Sequence, residues 1–461
     1  MRNKMNEILI HSKRCFINHQ FIEATIHILN RKIFKIYVGE KKMDGISFSD
    51  YGNLIVMPGI IDAHVHINEP GREDWEGFDT ATKAAAIGGV TTLIEMPLNA
   101  SPVTTNVDAF ILKQNASRDK LHVNCGFYGG IIPTNTDDIE ELIKSGVFGI
   151  KGFLTHSGID EFPNVSQENL EKIAPILKKY DIPLLLHCEL TDVEVPEVKN
   201  QKNYQEYLHS RPQHWETNAI ELALNVQEKH DIKVHIVHLS ASEGIERINK
   251  RKSLTDKLTV ETCPHYLYFN AEEIPDASPI YKCAPPIREQ KNNDLLWESL
   301  LNDGFNFLSS DHSPAPPKRK QLESGDFFKA WGGIAGLQFT LPILWTEGKK
   351  RGLELEKLIP LLTENPAKFL GLENQKGKLQ EGFDADITIW NDSQEFEIVE
   401  DSIYHKHKAT PYLNEVVVGK VIHTFVNGVQ VVENSELKNL RKGELLLKTN
   451  CLSHESGNPK R

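Results

Sequence analysis

Two histidines, His64 and His66, stand two residues apart in the run IIDAHVH, and on an extended strand that spacing puts both imidazoles on one face. A pair of this kind can grip one metal ion. On its own it reads equally well as packed or solvated histidines, so what matters is its company. His187 ends LLLHC and His238 closes HIVHL, each at the expected carboxyl end of a strand. Lys151, in GIKGFL, sits among glycine and apolar groups where an unpaired ammonium is costly to bury. A buried lysine loses its proton readily, and the neutral amine can add carbon dioxide to become a carbamate, an anionic bridge for two cations. The alternative is a lysine that reaches from the strand to water. Asp311, in SSDHSP, is a carboxylate able to ligate a metal and to relay a proton, or else a turn former before Pro314. Two further histidines read differently. His235 lies three positions from His238 and is assigned a structural role, while His265 in TCPHY is placed at the end of a strand, as a structural residue or a neighbour of the ligands.

Positioning these groups requires a set of strands whose ends meet. From Met57 onward short apolar runs alternate with helix-compatible stretches such as 75–88, 137–145 and 166–180. IIDAHVH, TTLIEMP, VNCGFYG, FGIKGFL, IPLLLHC, KVHIVHL, LTVETCPHY and FNFLSSDHS make eight candidate strands. Eight βα units predict an α/β fold, a closed (β/α)₈ TIM barrel with its active site at the carboxyl ends of the strands. Before about Val56 and after a helical stretch near 365–372, the chain is strand-like, and Asn427-Gly428 marks a two-residue hairpin. The expected organisation is therefore a barrel over 57–374, inserted into a small β-sandwich built by residues 1–56 and 375–461 together, ending in a polar, frayed tail.

Composition narrows the function. A hydrophobic fraction of 39% and a charged fraction of 25% describe an ordinary globular chain. With 52 Lys plus Arg against 64 Asp plus Glu, interspersed, the net charge of -12 argues against nucleic acid or an anionic membrane as partner. Six scattered cysteines without a CxxC pair suggest free thiols, not a disulfide framework or a thiolate zinc site. With neither a signal-peptide core nor an apolar run long enough to span a bilayer, the expected location is the cytoplasm.

Longer strings carry a resemblance. PGIIDAHVHINEPGREDWEGFDTATKAAAIGGVTTLIEMPLN, SGIDEFPNV, VETCPHYL, YKCAPPIRE, SSDHSP and AWGGIAGLQ, with the C-terminal GKLQEGFDADITIW, resemble the amidohydrolase superfamily and closely its allantoinase branch. The resemblance implies a binuclear centre of divalent ions, zinc first and cobalt, manganese or iron as alternatives. His64, His66, His187, His238 and Asp311 would be ligands and Lys151 a carboxylated bridge (N6-carboxylysine). Asp311 would also be the acid/base, and the reaction hydrolysis of the allantoin ring amide. It further implies substrate contacts from Asn99 and Ser313, a small-molecule substrate, and a homo-oligomer, a homotetramer in relatives. Dihydroorotases read HVHFREPG where this sequence reads HVHINEPG, so Asn68 replaces an arginine that clamps a carboxylate. Asn68 is accordingly expected to face the substrate and to favour a neutral ureide. Dihydroorotase, dihydropyrimidinase and hydantoinase activities stand as alternatives, as does a non-catalytic relative, which should have lost a ligand. Thr155-His156 and Ala315 depart from the branch's usual residues.

Overall fold

Residues 7–191 and 197–449 are described by the computed structural model; the predicted frayed tail and Cys451 lie outside them. Strands from both chain ends pair into one nine-stranded sheet. From one edge it runs Glu436–Leu437, Val429–Glu433, Val416–Val426, Ile387–Glu397, Ile55–Pro58, Glu7–Ile17, Gln20–Leu29 and Lys32–Val38, with Ser47–Asp50 also on Glu7–Ile17. Alternating side chains drive it: Ala24, Ile26 and Ile28 point into a core shared with Ile10, Val56, Ile387, Ile389 and Phe425. Burying each isoleucine, valine or phenylalanine of this set contributes about 1.5–3 kcal/mol. The predicted hairpin is present, with Val426 opposite Val429 and both turn residues left-handed, Asn427 at φ 51° and Gly428 at φ 73°.

Between these segments the chain winds the expected TIM barrel. Its strands are Ile60–Val65, Val90–Glu95, Asn124–Phe127 (continued by Gly129–Gly130), Ile150–Phe153, Leu184–His187, Val234–Ile236, Leu258–Thr262 and Phe307–Leu308. Hydrogen bonding divides them into two parallel arcs. Phe148 N–H to Phe127 O (2.9 Å) and His66 N–H to His312 O (2.7 Å) close the circle. The helix predicted over 166–180 is Gln167–Tyr180. Ser166 caps it reciprocally with Asn169, and left-handed Asp181 ends it. The observed strands are shorter than the expected runs. Leu258–Thr262 gives way to a short helix, Pro264–Tyr268, because Pro264 suits a first helical turn, so His265 is not on a strand.

Gly59 joins sheet to barrel where a Cβ would lie 2.1 Å from Thr91 Oγ1, so a larger residue does not fit. A strap from the C-terminal side returns to the barrel beside the third strand. Cys125 N–H donates to Glu444 O (2.9 Å), Leu446 N–H to Cys125 O (2.8 Å) and Lys448 N–H to Gly146 O (2.9 Å).

Candidate metal centre

The carboxyl ends of the barrel strands open into a cavity of about 430 Å³ whose wall includes His64, His66, Lys151, His187, His238 and Asp311. Six groups picked from distant stretches thus meet at one rim. Asp311 Oδ1 lies 3.2 Å from His64 Nε2 and 3.4 Å from His66 Nε2. Across the cavity His187 Nδ1 faces His238 Nε2 at 3.0 Å. Ligand atoms of His64, His238 and Asp311 all fall within 4.8 Å of one another. Lys151 Nζ is buried with no hydrogen-bond partner.

Burial sets the protonation of this cluster. It lowers His66 to about 4 and His238 well below the usual histidine value, leaving neutral imidazoles with free lone pairs. Burial also lowers Lys151, to about 8, although Glu261 and Asp311 oppose the shift. For Asp311 burial works upward, but His64, His66 and His265 together hold the carboxyl down to about 2. Neutral nitrogens, an ionised carboxylate and a buried amine without a partner are a donor set that fits divalent cations. The backbone is strained here as well: His238 (φ 39°) and Asp311 (φ 44°) are left-handed non-glycine residues, a conformation costing roughly 1–3 kcal/mol each.

Asn99 and Ser313 also line the cavity. The Asn99 amide nitrogen sits 3.4 Å from His66 Nδ1, and its oxygen is buried without a partner. Asn68 departs from expectation. It is fully buried off the cavity wall, and its left-handed backbone (φ 68°) turns the amide to donate to Pro314 O at 3.2 Å. The wall also carries Arg72, Arg211 and Arg319, so the absence of an arginine at position 68 does not leave the cavity without cations. His156 reaches the cavity, with its Nδ1 accepting from Gly158 N–H at 3.1 Å.

Residues 55–431 match the model of the amidohydrolase family. The chain belongs to that family. Among amidohydrolases it is 44% identical to the allantoinase of Arabidopsis thaliana over 395 residues, 82% of this chain and 78% of the relative. It is 37% identical to the allantoinase of Streptomyces avermitilis over 442 residues, 95% and 98% of the two chains, and 40% identical to that of Saccharomyces cerevisiae over 387, 82% and 83%. Of solved amidohydrolase-fold structures, the L-hydantoinase (dihydropyrimidinase) from Arthrobacter aurescens superposes with a TM-score of 0.88 at 30% identity, covering 95% of this chain and 99% of that one.

Three acids of this amidohydrolase site escaped the sequence reading. Glu261 Oε1 accepts a hydrogen bond from His64 Nδ1 at 2.5 Å, and its Oε2 accepts from Ser309 Oγ at 2.8 Å and lies 3.4 Å from His235 Nε2. Glu189 Oε2 is 2.7 Å from His187 Nε2 and is clamped by Arg211. Asp62 accepts from the His64 and Ser310 backbone N–H groups. One signal was available: Glu261 follows Thr259 by two residues in LTVET, an acid on the inner face of a strand whose other residues are largely buried. His235 stays off the cavity, stacked on Phe307 with centroids 4.9 Å apart, in keeping with a structural role. His265 is buried within 4.8 Å of Asp311 and Cys263 ligand atoms, with neither ring nitrogen bonded.

Proposed function

We propose that this protein hydrolyses the ring amide of allantoin to allantoate, with His64, His66, Lys151, His187, His238 and Asp311 holding two divalent cations, zinc first among them. The single observation that carries the proposal is the convergence of those six groups on one cavity. The allantoinases at 37–44% identity over most of the chain support allantoin as substrate. Asn68, buried off the cavity wall, does not discriminate against dihydroorotate, and the likeness to allantoinases supports the choice of ring.

When bound, the two cations would polarise the scissile carbonyl and make a water nucleophilic near neutral pH. Lys151 would join them as a carbamate: the neutral Nζ forms a bond to the carbon of carbon dioxide and releases a proton. The lowered affinity of this amine for protons and its want of a hydrogen-bond partner support that step. Asp311 takes the proton of the attacking water and delivers it to the ring nitrogen as the C–N bond breaks. Asn99, whose buried amide oxygen has no partner, accepts a hydrogen bond from a ring N–H, and Ser313 fixes the opposite side of the ring. Neither hydrogen bond needs a charge on the substrate, in keeping with a neutral ureide.

Among the described residues no helix is long and apolar enough to cross a membrane. The proposal carries with it a cytoplasmic location and a homo-oligomer, a tetramer by the same resemblance, which sedimentation of the purified protein reads directly. The deciding experiment assays allantoin, dihydroorotate, hydantoin and dihydrouracil side by side. Allantoin should have the largest kcat/KM; a higher value for any of the others would assign the site to that ring.

A further inference from the structure

The closest pairings within the donor set define two halves, with His238 also within 4.8 Å of the His64 and Asp311 ligand atoms, and the surroundings of the halves are not alike. In one half, His64 and His66 turn their Nε2 atoms to Asp311. In the other, His187 Nδ1 and His238 Nε2 face each other. A fully buried carboxylate stands behind each half, on the ring nitrogen not facing the cavity: Glu261 behind His64 and Glu189 behind His187. Such a carboxylate fixes the tautomer and makes the imidazole a stronger donor, provided its charge is not cancelled.

That proviso separates the halves. Arg211 binds Glu189 with two nitrogens, Nε at 2.9 Å and a terminal nitrogen at 2.5 Å, and neutralises it. Glu261 has Ser309, the His64 and His235 rings and the His238 backbone N–H around it, and no lysine or arginine bonded to it among the described residues. Asp311 adds a second negative charge on the Glu261 side. Leaving aside Lys151, which is common to both, the first half carries two negative charges and the second carries one negative and one positive.

We propose that the centre loads in order, the His64–His66–Asp311 half taking its divalent cation first and more tightly, and that Arg211 is what weakens the His187–His238 half. This rests on the binuclear reading given above. Glu261, Glu189 and Arg211 are positioning residues in this scheme, acting on the ions through the histidines. Both buried carboxylates fix ring orientation, while only one of them supplies uncancelled charge.

The test titrates zinc or cobalt into the full-length protein after removal of metal with a chelator, followed by calorimetry and, for cobalt, by visible absorption. Two steps separated by about tenfold or more are expected, and diffraction at one equivalent should find the ion beside His64 and His66. Glu261→Gln should weaken the tight step by about 10–100-fold and leave the weak step unchanged. Arg211→Gln should tighten the weak step, whereas Arg211→Lys, which keeps the charge, should leave the order as it is. Melting curves of the metal-free variants establish that each is folded; if Arg211→Gln is not, the Glu261→Gln and Arg211→Lys titrations still decide. Equal affinities in the unmodified protein, a first ion beside His187 and His238, or equal weakening of both steps by Glu261→Gln would overturn the order. Failure to bind any divalent ion would instead overturn the binuclear reading beneath it.

Discussion

At the end of the second barrel strand lies a fully buried ion pair whose removal has a calculable cost. Glu95, ending the second barrel strand, meets Lys113 of the helix Val107–Ser117, and both side chains are 0% exposed. Lys113 also donates to Met96 O at 3.1 Å. Burial pushes the Glu95 carboxyl up to about 7, against the pull of Lys113. Lys113→Met leaves that carboxylate without its cation, which costs about 3–5 kcal/mol where it stays ionised. The pH dependence follows from the sign of the shift. With a folded pKa above the unfolded value of 4.5, the folded state binds the extra proton between them. Stability is therefore fully present below that value and is lost as pH rises through the folded pKa, which the substitution raises further. Scanning calorimetry at pH 5, 7 and 8 should find Lys113→Met close to the parent at pH 5 and lower in its melting midpoint at pH 8, by about 3–5 °C for a chain of 461 residues. Glu95→Gln combined with Lys113→Met should recover most of the loss, because no uncompensated charge remains. An unchanged midpoint for Lys113→Met at pH 8, or a double variant no better than the single one, would refute the assignment of this pair.

Asp311→Asn should lower kcat on allantoin at least about 100-fold while the fold persists by circular dichroism, since the proton relay is gone; near-normal turnover would remove Asp311 from that role. Lys151→Ala should lose bound metal and activity together, with partial recovery in short carboxylic acids that mimic the carbamate, and full metal content by elemental analysis would contradict the bridge. Asn68→Ala should cost about 2–3 kcal/mol from the lost bond to Pro314 O and a left-handed alanine, yet leave KM unchanged; a selective KM effect would return Asn68 to the substrate. Gly443→Val should lower the melting midpoint by several degrees, because a Cβ there would sit 1.9 Å from Val123 O and push the strap off the third barrel strand; an unaltered midpoint would show that the strap contributes little.

Much of the site was legible because barrel geometry turns sequence position into spatial position. A histidine or lysine at the carboxyl end of an apolar run must point at the mouth once eight runs close, which is why His64, His66, Lys151 and His187 could be named without coordinates. The residues that support them were not legible in the same way. Glu189 and Glu261 matter through the ring nitrogens they bond, a relation between segments far apart in the chain. Lys113 reads as one more helix lysine until the strand carrying Glu95 is packed against it. Asn68 lies off the cavity for a local reason: its positive φ turns the amide to Pro314 O, a direction that residue type and position in the string do not reveal. The single nine-stranded ladder was hidden too, since pairing Ile55–Pro58 with Ile387–Glu397 spans more than three hundred residues. The strand-like ends announced a joint β domain and Asn427-Gly428 its hairpin, but not which strand pairs with which.

The central claim, that six side chains hold two cations across one cavity, is tested most directly by diffraction from the purified protein above and below the absorption edge of its bound metal. Two anomalous peaks per chain are expected, one beside His64, His66 and Asp311 and one beside His187 and His238, with density extending from Lys151 Nζ to both. Crystals of active protein with no peak in the cavity, or with an unmodified Lys151 amine between the histidines, would contradict it.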